Sequence, residues 1–132
     1  MRVFFDTNVL VSAFISRGLC ADLFRHVLAH HELVVGEVVI AELHKVLRDK
    51  LRASPASVAM LEGLLREQVV VPKPAKPFAH PVGDRADQWV LASAIAGKAD
   101  VLVTGDADLL TIKDRSPVPI ASPREFWNML RA

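Results

Sequence analysis

Four carboxylates stand where a soluble chain usually places apolar side chains: Asp6, Glu42, Asp87 and Asp106. Asp6 sits in "VFFDTNVLVSAF" (residues 3–14), directly between two hydrophobic runs and followed by Thr7 and Asn8. A charge in that position costs several kcal/mol unless it is compensated. Three compensations are open: a helix N-cap, a salt bridge or a bound cation. Glu42 lies within about 40° of Val38 and Val46 on a helical projection, so burial with the apolar stripe is expected. Asp87 lies within about 60° of Val90, Leu91 and Ala94 and shares an inward face in the same way. Asp106 follows the apolar run "VLV" (101–103) in "TGDADLL", next to Thr104 and Asp108.

Each acid has a structural reading by itself. Asp84 as N-cap with Asp87 three residues on would make a capping-box-like pair, and Asp106 would cap a short helix. As a set they imply more, because converging carboxylates repel one another and their pKa values rise. A hard divalent cation removes that conflict. Mg²⁺ or Mn²⁺ suits all-oxygen ligation, whereas zinc calls for cysteine or grouped histidine. The five histidines are not read as such a group, and His30-His31 reads as a solvated helix end. Carboxylate-held Mg²⁺ serves phosphodiester hydrolysis, so a nucleic acid backbone is the expected substrate.

Periodicity supplies the elements that position these acids. Strands are predicted at 2–5, 32–36, 69–71, 101–103 (the apolar part of 100–106, which ends in a polar turn) and 118–121, and helices at 7–16, 20–31, 37–52, 55–68, 85–97 and 107–111. Gly97 is expected to stop the helix 85–97, and a further helix follows the Ser122-Pro123 pair. The connection 72–83 holds four prolines and must be extended. Alternation of strand and helix predicts an α/β fold with a parallel sheet covered on both faces. In such sheets ligands collect at the carboxyl ends of the strands, where strand order reverses. Asp6 and Asp106 both fall at strand ends.

Composition bounds the rest. With 132 residues, a single domain over 1–132 is expected. Sixteen basic against fifteen acidic side chains leave a net charge of +1, so nucleic-acid binding must rest on local patches. Lys45, Arg48 and Arg52, at i, i+3 and i+7 beyond Glu42, together with Arg17 and Arg85, are the candidate phosphate contacts. A lone cysteine, Cys20, reads as a packed residue and excludes an internal disulfide. The first apolar run is too short for a membrane span, so a cytoplasmic protein is expected. A hydrophobic fraction of 52% allows for a homo-oligomer interface.

The stretches "VFFDTNVLVSAF", "VVIAELHKVL", "DRADQWVLASAIAGKADVLVTGDADLL" and "PIASPREFW" together resemble the PIN-domain family, in particular its bacterial toxin components of toxin–antitoxin pairs. That resemblance implies a three-layer α/β/α fold with about five strands and a Mg²⁺- or Mn²⁺-dependent endoribonuclease acting on RNA. It also implies a homodimer or higher oligomer, held in check by a cognate antitoxin. Asp6, Glu42, Asp87 and Asp106 match the family's acids as catalytic residues and metal ligands, with Asn8, Thr104, Asp84 and Asp108 as supporting residues. The alternatives are a catalytically silent PIN-fold module that binds RNA or protein, and a doubly wound phosphotransfer protein. The latter lacks its second acid, because position 8 is Asn.

Overall fold

The computed structural model describes residues 1–79 and 85–132. Five short apolar runs form one sheet: β1 (Arg2–Phe5), β2 (Glu32–Gly36), β3 (Val69–Val71), β4 (Val101–Val103) and β5 (Ile120–Ala121). All neighbours pair in parallel, in the order β3-β2-β1-β4-β5. Among the described residues seven α-helices accompany them: α1 (Thr7–Ile15), α2 (Leu19–His30), α3 (Glu37–Lys45), α4 (Pro55–Arg66), α5 (Arg85–Ala96), α6 (Ala107–Thr111) and α7 (Pro123–Arg131). Among the described residues, no single helix is long and apolar enough to cross a membrane.

Adjacent residues of a strand point to opposite faces, and β1 shows how both faces are filled. The Phe5 ring packs 6.5 Å from both Phe24 of α2 and Phe126 of α7. Phe4 turns the other way, towards α5. A side chain at Gly36 would stand 3.1 Å from the Phe4 ring and 3.2 Å from Ser93 of α5, so glycine opens that contact. The three layers of the expected α/β/α arrangement are therefore present.

Strand order places the reversal between β1 and β4. The chain runs outwards from β1 through β2 to β3, then returns to the far side of β1 for β4 and β5. Asp6 follows β1 directly, and its amide donates to the Val103 carbonyl of β4 at 3.0 Å. Two supporting helices start as the sequence predicts. Ser54 caps α4 ahead of Pro55, and Ser122 with Glu125 forms a capping box on α7.

Two expectations need correction, those over 37–52 and 118–121. The helix expected over 37–52 ends at Lys45 and loosens into a π-helical turn, Val46–Lys50, after which Arg52 takes φ 51°. β4 is Val101–Val103 as expected, and the chain turns from Thr104 onwards into the site. At 118–121 only Ile120–Ala121 is strand, since the preceding Pro119 has no N–H for the ladder. α5 ends at Ala96, directly before Gly97 as expected, and it is Lys98 that adopts a positive φ, 53°. Gly97 is required for close approach, because a Cβ there would lie 2.7 Å from methyl carbons of both Val34 and Val71.

Candidate metal centre

The site grows out of the end of β1. Asp6 is 4% exposed and takes up three donors. Its Oδ1 accepts from the Thr7 amide at 2.8 Å, which makes Asp6 itself, and not Thr7, the N-cap of α1. Its Oδ2 accepts from the Thr104 hydroxyl at 2.7 Å and from Asn8 Nδ2 at 3.2 Å. Of the three compensations open to Asp6, capping is thus met. No ion pair among the described residues involves Asp6.

Thr104 is fully buried at the end of β4 and ties two acids together. While donating to Asp6, its hydroxyl accepts the Asp106 amide at 3.0 Å. Asn8 performs a second bridge, because its Oδ1 accepts the Gly105 amide at 3.1 Å. Asp106 is the N-cap of α6 and its Oδ1 accepts the Asp108 amide at 2.8 Å. Asp87 enters from the first turn of α5, where the helix dipole favours an acid, and is 6% exposed.

These elements bring one carboxylate oxygen each from Asp6, Asp87 and Asp106 within 4.8 Å of one another. Burial pushes the Asp6 carboxyl above its ordinary range; the donors Thr104, Thr7 and Asn8 oppose that rise, while the Asp106 charge adds to it. Beside Asp6, the buried Thr7 hydroxyl has no hydrogen-bond partner among the described residues. Three gathered carboxylates, an acid strained towards protonation and a spare buried hydroxyl form an all-oxygen donor set. Such a set fits a hard, partly hydrated divalent cation.

Glu42 departs from expectation. It is exposed on α3 and stands outside the three-carboxylate cluster. The reason lies in its stripe: Val38 and Val46, the residues it aligns with, are only half-buried, whereas Val39, Ile40 and Leu43 form the core face. Glu42 sits on a rim shared by three depressions. One, about 450 Å³, runs between α3 and α5 past Ala86 and Trp89; a second, about 290 Å³, includes Thr7 and Asn8; the third, about 240 Å³, includes Lys45 and Lys50. It therefore borders the neighbours of both Asp6 and Asp87.

The remaining candidates separate. Asp108 is exposed and reaches Asp106 only through its backbone. Asp84 lies outside the described residues. Arg17, Lys45, Arg48 and Arg85 are all exposed, and Arg48 pairs with Asp49 at 2.8 Å. The single cationic face expected for Lys45, Arg48 and Arg52 does not form, because Arg52 follows the π-helical turn in a left-handed conformation. One basic residue went unnoticed in the sequence. Lys73, in the proline-rich connection, places its ammonium 4.5 Å from the Trp89 ring centre and lines the groove beside Glu42. A lysine among prolines gives no periodic signal from which that contact could be read.

The sequence profile of the PIN domain family matches residues 2–108, and the chain belongs to that family. No curated protein sequence matches it. Solved structures share its fold. The chain aligns with VapBC-1 from nontypeable Haemophilus influenzae at TM-score 0.65 and 21% identity, over 94% of this chain and 99% of that one. It aligns with VapBC2 from Rickettsia felis, a structure bound to a promoter DNA fragment, at TM-score 0.64 and 16% identity, covering 92% and 98%. PAE2754 from Pyrobaculum aerophilum aligns at TM-score 0.60 and 16% identity, covering 99% and 90%.

Proposed function

We propose that this PIN protein is a Mg²⁺- or Mn²⁺-dependent endoribonuclease, the toxin of a toxin–antitoxin pair in the cytoplasm. On this reading residues 1–132 form one catalytic domain. The observation that carries it is the convergence of the Asp6, Asp87 and Asp106 carboxylates within 4.8 Å at the strand-order reversal. Asp6, Asp87 and Asp106 would hold the ion, with Glu42 reaching it through water from the rim. A bound divalent ion supplies charge compensation and a more acidic water for attack on phosphorus.

The chain's own residues do the positioning. Thr104 and Asn8 fix both the rotamer of Asp6 and the turn carrying Asp106, the kind of support that orients metal ligands. Asp108 restrains Asp106 through its amide, and Asp84 joins the supporting set. A strand of RNA would lie along the depressions flanking Glu42, with Lys45, Arg48, Arg17 and Arg85 available to its phosphates. The likeness to VapBC structures supports a cognate antitoxin, and on this reading the protein works as a homodimer or higher homo-oligomer.

The test uses purified wild type and Asp6→Asn with structured and unstructured RNAs, in Mg²⁺, Mn²⁺ or EDTA. Cleavage is expected only for the wild type with metal. Cleavage that survives either the substitution or the chelator overturns the reading. Growth arrest on expression, relieved by an adjacent small gene, distinguishes a toxin from a housekeeping nuclease.

A further inference from the structure

Three imidazoles gather at the end of the molecule opposite the carboxylates. His26 and His30 stand at i and i+4 on the last turns of α2, and His31 is the residue that closes that helix before β2. The His26 ring centre lies 4.8 Å from that of His30 and 5.4 Å from that of His31. The rings are tilted by 46° and 48°, so they are not stacked. A metal-bound imidazole has its ring centre about 3.2 Å from the ion, and two such rings at a tetrahedral angle stand roughly 5.2 Å apart. The ring centres of both pairs stand close to that separation.

The surroundings suit ligation. His30 is exposed and His26 and His31 are half-buried, and with His31 Nδ1 held by the Met1 amine it is Nε2 that His31 has to offer. No salt bridge among the described residues joins any of the three to a carboxylate. Burial, the Met1 amine that stands 3.2 Å from His31 Nδ1, and the other two imidazoles hold His31 below its ordinary pKa. At neutral pH it is therefore in the uncharged, metal-binding form. A helical i, i+4 histidine pair is moreover a recurrent zinc-binding spacing.

We propose that His26, His30 and His31 form a second metal site, selective for a borderline nitrogen-loving ion such as Zn²⁺ and separate from the carboxylate centre. The two donor sets divide the metals by chemistry: imidazole nitrogens favour zinc-like ions and carboxylate oxygens favour Mg²⁺ and Mn²⁺. They are also apart in space, because His31 precedes Glu32 at the amino end of β2 while Asp6 follows the carboxyl end of β1. An ion held there would pin the end of α2 to the start of β2.

Calorimetric titration of tag-free, metal-stripped protein with Zn²⁺ alone tests this, alongside thermal melts. One Zn²⁺ per chain is expected, with Mg²⁺ in excess failing to displace it. His26→Gln and His30→Gln should each weaken that event by at least about tenfold, whereas Asp6→Asn should leave it in place. Circular dichroism of the surface variants checks that they fold, and a variant that does not is replaced by the corresponding Asn. Absence of binding at submillimolar Zn²⁺, binding lost in Asp6→Asn but kept in His30→Gln, or one ion shared between two chains would each overturn the proposal.

Discussion

At the scale of single residues, the site turns on how Asp6 is held. Thr104 donates its hydroxyl proton to Asp6 and accepts the Asp106 amide, so one side chain sets the spacing of two carboxylates of the cluster. Thr104→Val keeps the shape and removes both bonds. Mn²⁺ affinity and cleavage rate are expected to fall by about 10–100-fold with little change in fold, measured by calorimetry and RNA cleavage. Asp6 also predicts a pH dependence. Its carboxyl titrates above the ordinary 3.8, mainly through burial. An acid whose pKa is raised by folding favours the folded state while protonated and loses that contribution as pH rises through the raised value. In EDTA, the stability of wild type relative to Asp6→Asn should therefore decline from acid towards neutral pH. Adding Mn²⁺, which favours the ionised carboxylate, should abolish that decline; denaturant titrations across pH measure it.

Elements decide which sequence signals can be trusted. Strand-end and first-turn acids were legible because a short buried strand or helix start leaves a side chain few places to go; Asp6, Asp87 and Asp106 are of this kind. Glu42 was legible only in part. A helical projection gives the angle to Val38 and Val46 but not that this stripe lies at the edge of the packing, which depends on α1 and α5. The same holds for Arg52, since nothing in a regular 3.6-residue period foretells a π-helical turn at Val46–Lys50. The histidine group was hidden for another reason: His31 joins His26 and His30 only because α2 ends abruptly and the chain turns into β2. Gly97 shows a signal read correctly in place but not in cause. Its role is contact with Val34 and Val71, so Gly97→Ala should overpack the α5–sheet interface and cost about 1–3 kcal/mol in denaturant unfolding.

For the whole molecule, the order β3-β2-β1-β4-β5 does the convergent work. It sets β1 beside β4, so residues 98 positions apart, Asp6 and Thr104, become hydrogen-bonded neighbours. α5 then delivers Asp87 from the crossover that joins the two halves of the sheet. Folding must hold these acids together against their own repulsion, and a divalent ion bound only by the folded state returns that cost. At a free Mn²⁺ concentration a hundred times its Kd, the gain is about 2.7 kcal/mol. A domain of this size should show it as a rise of roughly 10 °C in melting temperature. The position of each acid orders the losses. Asp87→Asn removes a buried member of the cluster and should erase most of the Mn²⁺-dependent rise. Glu42→Gln alters an exposed rim residue and should retain most of that rise, even though RNA cleavage falls. Differential scanning calorimetry of the three proteins with and without Mn²⁺ measures the difference. Equal loss in both variants would place Glu42 within the ion's inner set of ligands and not at its rim.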